Sequence, residues 1–322
     1  MKRTILFVTP VFISILLLSF SGKNQEQKRP ALLKTLIIDA GHGGFDAGTK
    51  GSFSTEADVS LDVALKFGKA LEKEFPDLKI VYTRKDDVAP GNKKNKKDDN
   101  RYRATLANES GGDLFIAIHC NSAPAIRHRA FTGNRTVSYY TGKGKKRRKV
   151  TKKVPQYRYW TTPNPAHGTE TYIWAVGKND AKVGAVHNNA DEYGEVDSTS
   201  TIELPDPSDP AERARMLIYA QNFFKKSLQL ADMVEKEFVA AGRFSRGVKQ
   251  RNHTGIWVLQ ATGMPSILVE LGFLSHAEDE KYLNSERGQD EMVESLVKAF
   301  KTYKQRIESK SIGGGTADQK GF

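Results

Sequence analysis

The stretch Leu36-Ile37-Ile38-Asp39-Ala40-Gly41-His42 decides the reading of this chain. A strand-length apolar run ends in glycine and a side chain able to bind a metal or move a proton. Two further apolar runs end in such a side chain, without the glycine: Leu114-Phe115-Ile116-Ala117-Ile118-His119 and Ile267-Leu268-Val269-Glu270. The unbroken apolar middle of Asp113 to His119 predicts a central strand, buried on both faces. Glu56 adds a fourth polar group, at the start of a helical pattern.

Lys34 to Ala40 reads as the first strand and Gly41 to Gly51 as a glycine-rich loop. Ser54 and Thr55 can cap a helix from Glu56 to Phe75, in which Val59, Val63, Phe67, Ala70 and Leu71 fall at helical spacing. Leu78 to Thr83 is a second strand, Lys93 to Lys97 a polar loop, and Asn100 to Asn108 a helix. Thr169 to Val176 predicts a strand and Ala211 to Ala241 a long amphipathic helix. Gly255 to Gln260 and Ser266 to Leu271 read as strands, and Gly288 to Ile307 as a closing helix. Strands alternating with helices predict an α/β fold: one domain over 34–308, a mixed, mostly parallel sheet with helices on both faces. Two irregular insertions interrupt it, near 124–167 and 178–210, and 309–322 reads as a flexible tail. The first insertion holds a basic run, Lys143 to Lys153. It reads as a solvated loop, with contact to an anionic wall polymer as the sharper alternative.

The 322 residues are 38% hydrophobic and 27% charged, an ordinary globular composition. Residues 1–22 have the form of an export signal: Lys2 and Arg3, the apolar Ile5 to Phe20, then small residues at Ser21 and Gly22. Residues 23–33 read as a linker. The expected location is therefore outside the cytoplasm, periplasmic or wall-associated, with no stable membrane insertion after cleavage. Cys120 is the only cysteine, which rules out an internal disulfide. It adjoins His119 and could be a nucleophile, but a small buried residue at a strand end is the favoured reading. Net charge is +12, pointing to acidic partners. Nucleic acid is not expected, because the lysine runs carry no recognisable binding motif.

In open α/β sheets, ligand sites gather beyond the carboxyl ends of strands, where His42, His119 and Glu270 all fall. Each has an ordinary alternative: a turn residue for His42, a satisfied strand-end histidine for His119, a helix-start carboxylate for Glu56. Glu270 is hardest to dismiss, because an unpaired carboxylate within Ile267 to Phe273 would be costly. Two histidines and a carboxylate can hold zinc, with a further carboxylate beside the site for proton transfer.

These residues resemble a known family, the zinc-dependent N-acetylmuramoyl-L-alanine amidases of bacterial peptidoglycan. Leu36 to Gly48 is similar to its first metal motif. Glu56-Ala57-Asp58-Val59-Ser60-Leu61 is similar to its glutamate segment, with Ala57 and Ser60 departing. Thr83-Arg84 with Asp86, then Arg103 and Ala107-Asn108, match its middle. Asp113 to Ala123 resembles the second histidine motif and Met264 to Ser275 the catalytic glutamate motif, with Cys120 and His276 departing. The resemblance implies one zinc ion held by His42, Glu56 and His119, and Glu270 as general base and acid. It implies cleavage between N-acetylmuramic acid and L-alanine in peptidoglycan, for wall remodelling or daughter-cell separation. In some members of that family a segment at this point blocks the metal until a protein activator draws it away. The same autoinhibition is expected of 178–210, where His187, Asp191, Glu192 or Glu195 could reach the ion, with a surface loop that shapes the substrate groove as the alternative. The competing readings are a non-catalytic peptidoglycan-binding protein and a zinc peptidase acting on stem peptides. A dinucleotide-binding enzyme rests only on the glycine loop, which lacks the Gly-x-Gly-x-x-Gly order.

Overall fold

The computed structural model describes residues 33–174, 210–251 and 255–313. The expected signal, all of the linker but Leu33, the second insertion up to residue 209 and the last nine residues of the tail lie outside them. Among the described residues, no helix is long and apolar enough to cross a membrane.

The apolar runs build the sheet. Strands β1 (Thr35–Ala40), β2 (Lys79–Tyr82), β3 (Leu114–Asn121), β6 (Thr169–Ile173), β7 (Ser245–Gln250) and β8 (Ser266–Phe273) line up in the order β2-β1-β3-β8-β6-β7. All neighbours are parallel except β8 and β6. Every residue of β1 and β8 is buried, as expected for strands covered on both faces.

Alternation along the strands sorts the side chains. Leu36, Ile38, Leu114, Ile116, Ile118, Ile267 and Val269 pack against one layer of helices. That layer is α1 (Glu56–Glu74), α3 (Pro210–Ala240) and α6 (Glu286–Gly313), which contribute Val63 and Phe67, Leu230 and Phe238, and Leu296 and Phe300. Ile37, Phe115, Ala117 and Leu268 face the other way, onto α2 (Lys96–Glu109) and the short α4 (Trp257–Ala261) through Ala107, Val258 and Leu259. The fold is thus α/β with helices on both faces. Helix α5 (Ala277–Leu283) follows β8.

Capping explains two helix starts. Thr55 Oγ1 accepts the Asp58 N–H, and Glu56 and Asp58 sit in the first turn of α1, where the dipole favours them. The Asn95 side chain does the same for Asp98, so α2 begins at Lys96, not at the expected Asn100. Its first turn is polar, so the apolar period began too late to reveal it.

Two expectations are corrected. Residues 257–261 form helix, not the strand expected over Gly255 to Gln260; a short apolar run cannot be assigned by periodicity alone. The strand in that region is instead Ser245–Gln250, an edge strand whose only aliphatic side chain is Val248. The first insertion is not irregular: β4 (Ile126–Thr141) and β5 (Arg148–Thr162) form an antiparallel ribbon with a bulge between Phe131 and Gly133. It is exposed along most of both strands, so no apolar alternation marks it in the sequence.

A candidate metal centre at the carboxyl edge of the sheet

Sheet register assembles the site. Asp39 pairs with Ala117 across β1 and β3, and His119 with Glu270 across β3 and β8. All four therefore project from the face that carries α2 and α4. The β1–α1 loop brings His42 back over this edge, and the first residue of α1 brings Glu56. One ligand atom from each of His42, Glu56 and His119 lies within 4.8 Å of the others. The site opens into a cavity of about 330 Å³, lined also by Glu270, Asp46, Arg251 and Trp257.

Each side chain is held. His42 takes a left-handed backbone (φ 60), uncommon for a residue with a Cβ and typical of a functional turn. Its Nδ1 lies 2.8 Å from Asp46 Oδ2, which turns Nε2 towards Glu56 Oε2 at 3.1 Å. A carboxylate on one ring nitrogen is how proteins orient a histidine ligand. His119 Nδ1 lies 2.8 Å from Glu56 Oε1. The backbone N–H groups of Thr49 and Cys120 donate to the two Glu56 oxygens at 2.8 and 3.1 Å. Glycine is required around them. A Cβ at Gly41 would collide with the His119 ring, and one at Gly48 would sit 2.6 Å from Glu56 Oε2.

The electrostatics divide the two carboxylates. Burial pushes Glu56 up, but the hydrogen bonds and charge of His119 and His42 outweigh it and hold Glu56 far below the usual range. Burial likewise works against a charged His42, yet Glu56 and Asp46 raise it above its ordinary value. Glu270 goes the other way. Burial, then the negative charge of Glu56, pushes it up to about 8, against the pull of Arg251. Its Oε1 is 3.6 Å from Arg251, while its buried Oε2 has no hydrogen-bond partner among the described residues. Two imidazoles and a carboxylate of this kind could hold zinc, and a neighbouring carboxyl with a bare oxygen suits proton transfer. Cys120 is buried, and burial followed by the Glu56 and Glu270 charges raises its thiol well above the usual range. It has no thiolate with which to attack.

Several supporting residues were given no task by the sequence, although Arg84 and Arg103 fall in its matching motifs. Arg103 donates to Asp39 at 2.5 Å, to Asp99 at 3.1 Å and to the carbonyls of Ala40 and His42. Arg84 donates to the carbonyls of Ala40, Gly41 and Ala57. Together they clamp the turn that presents His42. On the far side, Glu170 pairs with Glu270 in register and is held by Arg246, Lys249, Tyr172 and Asn121. Only Asp46, four residues after His42, left a short-range signal. His187, Asp191, Glu192 and Glu195 lie outside the described residues.

Residues 36–302 match the family described as N-acetylmuramoyl-L-alanine amidase. The amidase AmiC of Escherichia coli is 27% identical over 273 residues, covering 83% of this chain and 52% of AmiC. An uncharacterised cell wall amidase of Bacillus anthracis is 26% identical over 271 residues, covering 84% of this chain and 35% of that protein. The chain thus spans about a third to a half of the length of these relatives. The crystal structure of an N-acetylmuramoyl-L-alanine amidase from Clostridium difficile 630 superposes with a TM-score of 0.50 at 25% identity, covering 86% of this chain and 98% of that one. With motif order, sheet topology and a match over most of its length in agreement, this chain belongs to the N-acetylmuramoyl-L-alanine amidase family.

Proposed function

We propose that this chain is an exported, zinc-dependent hydrolase that cuts the amide bond between N-acetylmuramic acid and the L-alanine of peptidoglycan, in wall remodelling or cell separation. The observation that carries this reading is Glu270. It is a buried carboxyl with one bare oxygen, register-paired with His119 beside a cluster of two imidazoles and a carboxylate. A buried carboxyl perturbed by a neighbouring charge and set in a cleft is the mark of a group used in chemistry.

His42, Glu56 and His119 would hold the ion. Zinc bound there would supply Lewis acidity and a nucleophile at neutral pH. Asp46 and the Thr49 and Cys120 amides fix the donor atoms, so little reorganisation is needed on loading. A cation in the cluster would also draw Glu270 below about 8, favouring the ionised form that a base requires. Glu270 Oε2 then takes the proton of the attacking water and returns it to the leaving amine nitrogen. Arg251, 3.6 Å from Oε1, favours the ionised carboxylate through its charge.

Sacculi digested with the protein, with and without a chelator and beside Glu270→Ala, test the reading. Released stem peptides should be intact and begin at L-alanine by mass spectrometry, and both treatments should abolish release. Cuts inside the stem peptide would favour the peptidase alternative. Binding without release would favour the non-catalytic one.

A further inference from the structure

The molecule carries its excess positive charge in one place. From Ile126 to Thr162 there are twelve lysines and arginines and no aspartate or glutamate. The whole chain has 50 basic and 38 acidic residues, so without those twelve it would be balanced at 38 against 38. The ribbon of β4 and β5 therefore holds the entire net charge of +12. The salt bridges among the described residues lie elsewhere, at the cleft, the helices and the β6–β7 edge. At sixteen residues and ~3.3 Å each, β4 extends roughly 50 Å.

Exposed rings stand among these cations: Phe131, Tyr139, Tyr140, Tyr157, Tyr159 and Trp160. Arg129, Arg147 and Arg158 lie over Tyr157, Tyr140 and Trp160, which holds ring and charge side by side. The ribbon grows from the cleft wall. Asn121 and Ser122 line the cavity, and the root closes just beyond, where Asn164 Nδ2 donates to the Pro124 carbonyl at 3.1 Å.

We propose that the β4–β5 ribbon is a second binding surface for the polymer cut in the cleft, taking the carboxylates of its stem peptides on lysine and arginine and its sugar rings on the exposed aromatics. This rests on the peptidoglycan reading above. Continuity with the cleft favours that polymer over other polyanions, because one strand can reach both surfaces. A bilayer is disfavoured by the tip, where residues 142–147 are only glycine, lysine and arginine, so no apolar side chain leads the ribbon into lipid.

The test uses the full chain carrying Glu270→Gln, pelleted with purified sacculi stripped of accessory polymers across a salt series. Beside it runs the same chain with Lys145→Gln, Lys146→Gln, Arg147→Gln and Arg148→Gln, with its circular dichroism checked. Binding of the first should fall steeply with salt, and the second should bind roughly tenfold more weakly at low salt. Equal binding of the two overturns the proposal. So does tighter binding of the first to anionic vesicles or to duplex DNA than to stripped sacculi. If the ribbon-dependent binding stands but the unsubstituted chain releases no stem peptides, the ribbon's role is supported and the amidase reading alone fails.

Discussion

Arg103 beneath the cleft and Arg147 at the tip of the ribbon put the same side chain to opposite uses. Arg103 is 2% exposed and bonded to two carboxylates and two carbonyls. Arg147 is exposed, stacked on Tyr140, in a segment without a single acidic residue. Desolvation makes the difference. A buried charge must have its partners built in, and so it serves the fold; a solvated one can wait for a partner from outside. The cleft end of the sheet is accordingly organised to fix four side chains, and the ribbon is organised to meet a polymer.

The largest effect should come from Glu270→Gln, which keeps the shape of the cleft but removes its base. Release of stem peptides should fall by about a thousandfold while circular dichroism stays unchanged. Next is Arg103→Leu, which leaves Asp39 and Asp99 buried without their cation. Urea unfolding should show a loss of roughly 3–5 kcal/mol, with the His42 turn loosened as well. Gly41→Ala should force the His119 ring to move and weaken zinc affinity by about 10–100-fold in a chelator competition.

A pH effect should be smaller. Glu270 titrates near 8 in the folded chain and near 4.5 when unfolded. Between those values the folded state keeps a proton that the unfolded state has lost. Stability of the metal-free protein should therefore fall as pH rises through that window. The metal-free Glu270→Gln chain lacks this loss, so its Tm should exceed wild type by roughly 5 °C at pH 9 and by much less at pH 5. The smallest effect should be Arg147→Leu, whose unfolding free energy should stay within about 0.5 kcal/mol of wild type.

How far the sequence was legible follows the same division. Strands β1, β3 and β8 could be read because burial on both faces leaves an uninterrupted apolar run. Helix α1 could be read because Thr55 and Val59, Val63 and Phe67 supply both a cap and a period. The edge strand β7 and the ribbon could not, since neither has a fully buried face to impose a pattern. At the site, His42, His119 and Glu270 stood out as polar ends of apolar runs. Asp39–Arg103 and Glu170–Lys249 span 64 and 79 positions, and only the folded sheet brings them together. The Thr49 and Cys120 amides that hold Glu56 leave no trace in residue type at all.

In the proposed mechanism three residues hold zinc and one moves a proton, and elemental analysis of purified protein tests that division most directly. Wild type and Glu270→Gln should each carry a single zinc ion per chain, and His42→Ala, Glu56→Ala and His119→Ala, each still folded, should carry almost none. Full zinc occupancy in Glu56→Ala, or loss of zinc in Glu270→Gln, would contradict it.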